Sequence, residues 1–351
     1  MTTKVGSGST PKGGNAVYTS AGHCFVRSQN VGMGYLILDE IAHINDVIHQ
    51  KHKATELKED DVLLNITGAS IGRTAIATKE IEGGNVNQHV CIIRANSKVN
   101  PKFLCNYIQT KKIQNYIQSL QTGGSREGLN FEQIRSFPIS LPNIAEQNKI
   151  AQLLDKLNER IATQNKIIDK LQSLIKGIAQ KIVHSNKPNV RLAECLECKS
   201  STLQESEVCE QGTYPVYGAN GIVGYLDNYS TEGEAVYIIK DGSGVGTVSY
   251  VTGKCSATGT LNTLQAKEGY SLQYFYYLLK VFNFEPYKTG MAIPHIYFKD
   301  YGKAKVFCPS YTEQLQYARL LYAIESKLSI EKNILTSLSL QKQYLLRQMF
   351  I

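Results

Sequence analysis

The sequence predicts an α+β fold with a pseudo-twofold internal repeat, in which two mixed α/β domains are joined by two long antiparallel coiled-coil helices. The first observation behind this prediction is that the second half restates the first at a fixed distance of 167 residues. Thr122-Gly123 recurs as Thr289-Gly290, and Glu146-Gln147 recurs as Glu313-Gln314. The second observation is that each copy ends in a long segment whose apolar residues have coiled-coil spacing. Because solenoid repeats span about 20 to 50 residues, this repeat is a duplicated module that can bind two related sites.

Length and composition are typical of a globular protein of two or three domains, since the chain has 351 residues. The eight cysteines have no regular spacing, and the one close pair, Cys195 and Cys198, has no second pair to complete a zinc site. We therefore expect reduced thiols and no metal. Neither a signal peptide nor a run of about 18 apolar residues occurs, so we expect a cytoplasmic protein.

The net charge of +8 suits a polyanionic partner, but its distribution is uneven. Residues 1–143 contain 15 basic residues (Lys and Arg) and 11 acidic residues (Asp and Glu), and residues 144–188 contain 8 basic and 4 acidic residues. Residues 189–309 contain 10 basic and 12 acidic residues, and residues 310–351 contain 5 basic and 3 acidic residues. Because the third segment is slightly acidic, any nucleic-acid binding there must use a local basic face and base-edge contacts.

These four segments are also the predicted domains. Residues 1–143 and 189–309 are globular, and residues 144–188 and 310–351 are the long helices. Both helix starts carry capping signals. Asn143 can cap the first helix, with Glu146 three positions on, and Ser310 with Glu313 repeats the arrangement as a capping box.

The predicted helices carry an apolar seam of about five heptads, in steps of four and three residues. The first seam includes Leu154, Leu157 and Ile161, and the second includes Leu321, Ile324 and Leu328. A polar slot interrupts both seams at equivalent positions, Gln164 and Glu331, where it can fix register and pairing. Antiparallel pairing of two helices of roughly 38 residues predicts a rod of about 57 Å. The alternative is that each amphipathic helix packs only on its own domain.

The globular parts combine strands and helices. In the first, residues 61–66 and 89–94 are predicted strands and residues 101–120 have helical spacing. In the second, residues 235–239 are a predicted strand and residues 271–282 a predicted helix. Glycine-rich loops at residues 67–74 and 241–247 follow corresponding strands.

Neither glycine-rich loop has the Gly-Lys-Ser/Thr ending of a P-loop, and neither opens a helix in a βαβ unit, so a nucleotide site is not expected. One interpretation is a tight hairpin in which glycine supplies positive φ. The other is contact with a nucleic-acid backbone, because hydroxyls and Arg are common phosphate donors. The candidate residues are Ser70, Arg73 and Thr74 in the first loop and Ser243 and Thr247 in the second.

Further candidate contacts lie outside these loops. Asn87 and Gln88 precede the strand at 90 and can bind adenine bidentately, although such residues are equally common in turns and at sheet edges. Tyr217 and Asn220, on a glycine-bounded loop, offer an aromatic face and an amide, or else a core tyrosine and a turn. The last candidates, in corresponding segments of the repeat, are Arg126 and His295.

Catalytic signatures are missing from the sequence. It has no Gly-x-Ser-x-Gly elbow, no His-Glu-x-x-His helix, no Asn-Pro-Pro-Tyr or Asp-Pro-Pro-Tyr methyltransferase motif, and no nuclease cluster of carboxylates and lysine. We therefore expect a protein that recognises and positions its partners without catalysing a reaction.

Five segments carry a family resemblance. They are residues 60–76, 86–94 and 129–142 running into Glu146-Gln147, and residues 214–225 and 294–309 running into Glu313-Gln314. In their order and duplication they resemble the specificity subunit of type I restriction-modification enzymes, over nearly the whole chain. Family members usually begin with a further short segment, a counterpart of residues 190–195, ahead of the Gly-Ser-Thr-Pro stretch that starts here at Gly8. We therefore expect the first domain to lack that element or to be completed by other elements.

The resemblance implies two target-recognition domains, residues 1–143 and 189–309, held apart on the helical pair. Each would read one half of a bipartite double-stranded DNA sequence. The resemblance also implies that the helices dock two methyltransferase subunits and that restriction subunits join this assembly. Adenine-N6 methylation, ATP-dependent cleavage and the cofactors S-adenosylmethionine, ATP and Mg would belong to those partners, with none in this chain. The rival hypothesis is a coiled-coil protein-assembly scaffold without DNA specificity.

Overall fold

The computed structural model of the chain describes residues 1–121, 128–290 and 293–350, which form two compact units. Unit 1 comprises residues 1–165 and 334–351, and unit 2 comprises residues 166–333. Each unit therefore contains one globular domain together with part of both long helices. The predicted boundaries after residues 143, 188 and 309 divide the chain by element type rather than by packing, and they stay a prediction.

Unit 1 opens with a sheet-rich domain that leads into the first long helix. Its elements are β1 (Thr2–Ser7), β2 (His23–Val26), β3 (Ala42–Ile44), α1 (Asp46–Lys51), β4 (Val62–Asn65), β5 (Thr74–Ile76), β6 (Asn85–Val86), β7 (Val90–Ala95), α2 (Pro101–Ile108), α3 (Lys111–Ser119), α4 (Phe131–Arg135) and α5 (Ile144–His184). One antiparallel sheet has the order β1-β7-β4-β5, and a smaller one has the order β3-β2-β6.

The central strands of unit 1, β4 and β7, are mostly apolar because both of their faces are buried. Val62 and Leu64 of β4 pack in one core with α2, whereas Leu63 packs in a second core on the opposite face. Ile92 of β7 shares that second core. Successive side chains of a strand point to opposite faces, so a sheet covered on both sides leaves no polar alternation in the sequence.

Residues 101–120, which have helical spacing in the sequence, are helical in the structure, which divides them into α2 and α3. Thr110 makes the break. Its hydroxyl donates to the Tyr107 carbonyl at 2.7 Å, which ends α2, and the same oxygen accepts from the Ile113 N–H at 3.4 Å, which starts α3. A threonine that caps both helices is compatible with the apolar spacing on either side, so periodicity did not show the break.

Unit 2 repeats the architecture of unit 1. Its elements are β8 (Val190–Arg191), α6 (Leu192–Cys195), β9 (Leu196–Ser200), β10 (Tyr214–Gly218), β11 (Gly221–Leu226), β12 (Glu234–Ile239), β13 (Val248–Thr252), β14 (Ser256–Ala257), β15 (Leu261–Ala266), α7 (Leu272–Lys280), α8 (Phe298–Tyr301), β16 (Lys305–Val306) and α9 (Tyr311–Gln348), with the last helix ending in unit 1. The order β9-β15-β12-β13 matches β1-β7-β4-β5, and β11-β10-β14 matches β3-β2-β6. The repeat is therefore confirmed in the fold.

Both long helices begin where the capping signals predict. The Asn143 side chain accepts from the Glu146 N–H at 3.0 Å, and α5 runs for 41 residues. Ser310 Oγ accepts from the Glu313 N–H at 3.5 Å, while the Glu313 carboxylate accepts from the Ser310 N–H at 3.1 Å. Hydrogen bonds from Ser310 also hold the pKa of the Glu313 carboxyl below its usual range. The α9 helix that starts there runs for 38 residues.

In unit 1, the N-terminal part of α5 packs with the C-terminal end of α9. Leu154 is fully buried in a core that also contains Leu345 and Phe350. The Phe350 ring lies 5.0 Å from Phe103 and 5.2 Å from Tyr107, both on α2. The helices therefore pack on each other as well as on the domain. The alternative in which each helix packs only on its own domain does not describe unit 1.

In unit 2, the C-terminal part of α5 packs with the first half of α9, which is again antiparallel. Ala179 and Ile182 of α5 line a small cavity with Leu321 of α9. The positions predicted for the helix interface are buried or half-buried in their units. Leu154, Leu157, Gln164, Leu321, Leu328 and Glu331 are buried, and Ile161 and Ile324 are half-buried.

A half-buried ion pair ties α7 to α9 in unit 2. Lys280 Nζ lies 2.8 Å from the Glu325 carboxylate, which also accepts from the Tyr277 hydroxyl at 2.8 Å. Burial raises the pKa of the Glu325 carboxyl, but the hydrogen bonds from Lys280, Tyr277 and Tyr276 and the charge of Lys280 together outweigh burial, so the pKa lies below the usual range. The charged form of Glu325 is therefore part of the folded state.

Two negative findings apply to the described part of the chain. Although two helices are long, no helix there combines the length and apolar character that crossing a membrane requires. Within the same residues, no group of three or more His, Cys, Asp or Glu side chains is placed to hold a metal ion.

Candidate nucleic-acid interface

The glycine-rich loop of unit 1, residues 66–73, is a braced hairpin between β4 and β5. Gly68 and Gly72 have φ of 69° and 86°, a conformation that glycine adopts without strain. The Gly72 N–H donates to the Asn65 carbonyl at 2.9 Å. Gln114 of α3 donates to the Gly72 carbonyl at 3.0 Å, and a Cβ on Gly72 would lie 2.7 Å from the Gln114 side-chain oxygen. The hairpin interpretation is thus correct, and the loop is held against α3.

The loop exposes only some of the side chains predicted to contact phosphates. Arg73 is exposed and Ser70 is half-buried, and the Arg73 N–H donates to the Ser70 carbonyl at 3.1 Å. The structure contradicts the prediction that Thr74 contacts a phosphate. Thr74 is 0% exposed at the start of β5, with its hydroxyl 3.8 Å from Cys105 Sγ of α2. Its neighbour Ala75 is also 0% exposed, because the sheet is covered on both faces here. A buried hydroxyl cannot reach a phosphate without moving the strand.

A string of hydrogen-bonded polar side chains lies beside this loop. Thr10 donates to Gln88 Oε1, and Gln88 Nε2 donates to His89 Nε2 at 3.0 Å. His89 therefore carries its proton on Nδ1, which lies 2.5 Å from the Thr67 hydroxyl oxygen. The hydroxyl hydrogen of Thr67 and the second amide hydrogen of Gln88 can then point to a ligand. This string joins three separate chain segments at one surface.

The structure also contradicts the prediction that Asn87, the neighbour of Gln88, contacts a base. Asn87 is 6% exposed, and its side-chain oxygen accepts from the His89 N–H at 3.1 Å. Its backbone is held as well, since its N–H donates to the Val26 carbonyl at 3.1 Å. Asn87 therefore shapes the turn that presents Gln88 and His89, and it is not itself placed to contact a base. The prediction for Arg126 lies outside the described residues.

Unit 2 has an equivalent hairpin loop, residues 240–247, between β12 and β13. Gly242 and Gly246 have φ of 94° and 91°. Ser243 and Thr247 are exposed on this loop. The loop is closed by the Gly246 N–H, which donates to the Ile239 carbonyl at 2.9 Å. The two predicted hydroxyls therefore lie on a surface equivalent to that of Arg73 in unit 1.

The structure places His295 beside this second loop. Its Nδ1 lies 2.7 Å from Asp241 Oδ1, and the other carboxylate oxygen lies 3.2 Å from Lys240 Nζ. The Asp241 carboxylate accepts from the ring, so Nδ1 carries a hydrogen and the ring orientation is fixed. The His295 side chain is 34% exposed, which leaves its opposite edge accessible to a ligand.

Tyr217 and Thr247 line one cleft of about 410 Å³ in unit 2, together with Ser249 and Tyr250. The Tyr217 ring lies 5.6 Å from Tyr237. Burial, with Cys255 and Tyr225 nearby, raises the pKa of Tyr217, so its hydroxyl remains a hydrogen-bond donor. Asn220 is exposed at the turn between β10 and β11.

Sequence reasoning missed several polar residues that the fold brings to these surfaces. They are Thr10 and Thr67 in unit 1 and Ser249 and Tyr250 in unit 2. Thr10 is 78 residues from its partner Gln88, and no local pattern marks that pairing. Ser249 and Tyr250 lie on β13, where alternation alone does not distinguish a cleft from open solvent.

Comparison with known proteins gives consistent matches. The protein family described as type I restriction modification DNA specificity domain matches residues 12–173 and again residues 185–340. A Mycoplasma genitalium relative, classed as a type I specificity subunit, is 24% identical over 309 residues, covering 81% of this chain and 79% of the relative. The specificity subunit of the type I restriction enzyme EcoBI from Escherichia coli is 24% identical over 165 residues, covering 45% of this chain and 33% of that subunit.

Two solved structures share the fold. The crystal structure of a type I restriction-modification S subunit from M. genitalium has a TM-score of 0.66 at 18% identity, covering 99% of this chain and 93% of that one. A chain from a structural study of complex assembly and conformational transition of the type I restriction-modification system has a TM-score of 0.54 at 16% identity, covering 93% of this chain and 91% of that one.

Proposed function

This chain belongs to the family of type I restriction-modification DNA specificity domains, and we propose that its two units read the two halves of one bipartite DNA sequence. It is a non-catalytic DNA sequence-recognition subunit of a restriction-modification system. The observation that carries the proposal is that both units have the same strand order and present equivalent glycine-rich hairpin loops, at residues 66–73 and 240–247. Two equivalent domains on continuous helices suit a target with two half-sites and an unspecified spacer.

In unit 1 we assign phosphate contact to the hairpin loop and base contact to the polar string beside it. The exposed guanidinium of Arg73 and the hydroxyl of Ser70 lie on a braced loop, which suits donation to phosphate oxygens. Gln88 and Thr67 can direct hydrogens outward, and base edges in the major groove carry acceptors for them. His89 holds these two side chains in one arrangement and so sets which base edge fits.

In unit 2 we assign phosphate contact to Ser243 and Thr247, and base contact to His295, Tyr217 and Asn220. The domain segment is slightly acidic, so fewer phosphate contacts are available and specificity must depend more on base edges. His295 is oriented by Asp241, and an oriented imidazole edge suits recognition of a single base pair.

We further propose that each unit docks one methyltransferase subunit on exposed apolar residues of the long helices. Leu153 and Ile167 of α5 are 47% and 37% exposed, and their equivalents in the repeat, Leu320 and Ile334 of α9, are 50% and 38% exposed. Unit 1 carries Leu153 and Ile334, and unit 2 carries Ile167 and Leu320. Exposed apolar residues at equivalent places in both units support two equivalent docking surfaces.

The reactions would then belong to the partners. Methyltransferase subunits would supply S-adenosylmethionine-dependent adenine methylation, and restriction subunits would use ATP and Mg for cleavage. This chain would hold none of these cofactors and would act in the cytoplasm with its partners on double-stranded DNA.

The salt dependence of DNA binding tests the recognition role. We expect the chain assembled with its methyltransferase to bind short target duplexes with an affinity whose logarithm falls linearly with the logarithm of salt concentration. The methyltransferase alone is the control, and it should bind without sequence preference. A pure scaffold would add neither affinity nor sequence preference, and that result would contradict the proposal.

Co-purification tests the docking surfaces. The double variant Leu153→Asp with Leu320→Asp places a carboxylate on each surface and should lose most bound methyltransferase, because desolvating a charge is costly. Leu340→Asp, at a residue 60% exposed on α9, is the matched control and should leave the stoichiometry unchanged. Normal co-purification of the double variant would remove these residues from the docking surfaces.

A further inference from the structure

A buried glutamine stands in the first turn of each long helix, at the same place in both copies of the repeat. Gln147 of α5 is 1% exposed and Gln314 of α9 is 2% exposed. Glutamine is usually exposed, because burying an amide without hydrogen-bond partners is costly. Two buried glutamines at equivalent positions therefore indicate a shared set of contacts.

In unit 1, Gln147 joins the long helix to the start of α2. Its side-chain oxygen accepts from the Asn100 N–H at 2.9 Å, and Asn100 is the residue whose side chain caps α2. Its side-chain nitrogen donates to the Pro142 carbonyl at 2.9 Å and to the Lys98 carbonyl at 3.2 Å. One amide thus contacts the chain before α5 and the chain before α2.

In unit 2, Gln314 makes the equivalent joint between α9 and α7. Its side-chain oxygen accepts from the Ser271 N–H at 2.9 Å, and Ser271 caps α7. Its side-chain nitrogen donates to the Pro309 carbonyl at 2.9 Å and to Cys308 Sγ at 3.2 Å. Only the last contact differs from unit 1.

These joints constrain angle as well as distance. Apolar packing tolerates small sliding, whereas an amide whose oxygen and both hydrogens make hydrogen bonds has one favourable orientation. Each glutamine lies in the first turn of its long helix, and its oxygen accepts from the N–H of the residue that caps a helix of the domain. Any rotation of the domain on its helix would break at least one buried hydrogen bond.

We propose that Gln147 and Gln314 are positioning residues that fix the orientation of each recognition domain on its long helix, and thereby the number of base pairs between the two half-sites. This inference rests on the proposed function, since a spacer exists only for a bipartite target. Neither glutamine contacts DNA in this proposal. Their effect is on which spacer length allows both half-sites to be bound together.

The test is the spacer preference of the assembled methyltransferase. The substrates are duplexes that carry both half-sites with the natural spacer or with one base pair more or less. For the wild type we expect methylation of the natural spacer to be faster by about 100-fold, because small misplacements have large effects on rate. In Gln147→Met and Gln314→Met, which fill similar volume without the hydrogen bonds, we expect this ratio to fall to about tenfold or less.

Gln152→Met and Gln316→Met are the controls, since these glutamines are exposed on the same helices. They should keep the wild-type ratio. A purely structural role of the buried glutamines would lower the rates for all spacers alike and leave the ratio unchanged, and that result would overturn the inference. If the methionine variants do not assemble, Gln147→Glu and Gln314→Glu replace them in the test. These variants keep an acceptor oxygen but lose the amide donors, so the rate ratio between the natural and altered spacers should also fall.

The wild-type result distinguishes failure of the proposed function from failure of the positioning role. A wild type that methylates no bipartite duplex, or one without spacer preference, would contradict the proposed function itself. A wild type with a narrow preference, matched by equally narrow folded variants, would contradict only the positioning role.

Discussion

Replacing Arg73 with alanine is the most informative single change at the candidate interface. The guanidinium is exposed on the hairpin loop of unit 1, whose backbone is fixed by Gln114. Removing the side chain should leave that loop in place, because no described hydrogen bond of the loop uses the Arg73 side chain. The expected effect is therefore on DNA binding and not on folding.

The expected magnitude follows from counterion release. One lost phosphate contact should make the slope of log affinity against log salt shallower by about 0.9. Between about 50 and 200 mM salt this corresponds to a roughly 3.5-fold smaller loss of affinity than in the wild type. At the lower salt concentration we expect the affinity itself to fall by roughly fivefold, or about 1 kcal/mol, as for an exposed charge pair.

The assay is equilibrium binding of labelled duplexes to the assembled methyltransferase at several salt concentrations, with cognate and unrelated sequences. Lys51→Ala, which removes an exposed charge at the end of α1, is the control and should keep the wild-type slope. An unchanged slope and affinity in Arg73→Ala would remove Arg73 from the interface. A loss confined to the cognate sequence would make it a base contact instead.

Three further predictions concern the helices and the packing around them. Leu154→Ala removes a fully buried side chain and should lower the free energy of unfolding by about 2 to 5 kcal/mol in denaturant titrations, whereas Leu153→Ala, at an exposed position, should change it by less than about 0.5 kcal/mol. Equal losses would contradict the burial assignment. Inserting one heptad after Asn165 and one after Asn333 adds about 10.5 Å of helix, so methylation mapping should show a spacer longer by about three base pairs with unchanged half-sites. An active assembly with the original spacer would refute helix length as its determinant. Glu325, whose folded pKa lies below its usual range, contributes stability above the unfolded pKa of about 4.3 and loses it as pH falls through the folded pKa. Unfolding free energy measured from about pH 7 to pH 3 should thus fall more steeply in the wild type than in Glu325→Gln, and parallel profiles would argue against this role.

The architecture was largely predictable from the sequence because its signals are local or periodic. The capping residues at 143 and 310 mark the long helices, and the seam positions of both helices prove buried or half-buried. The apolar runs that become β4 and β7 identify strands buried on both faces. The break at Thr110 was not predictable from helical spacing, because one threonine makes hydrogen bonds with both helices.

The candidate site was less predictable because it depends on which way each side chain points. Thr74 begins β5 and Gln88 lies just before β7, yet Thr74 is fully buried and Gln88 is exposed. The pairing of Thr10 with Gln88 and of Asp241 with His295 joins residues far apart in the chain. Such contacts follow from sheet topology, which sequence patterns fix only through the resemblance to a known family.

The most direct test of bipartite recognition is to map methylated adenines genome-wide in cells that contain this chain and its partner subunits, and in matched cells without it. Bipartite recognition predicts one methylated motif with two defined half-sites, separated by a spacer of constant length, that disappears when the chain is removed. A single contiguous motif, or methylation that persists unchanged without the chain, would contradict the claim that its two units each read one half of the target.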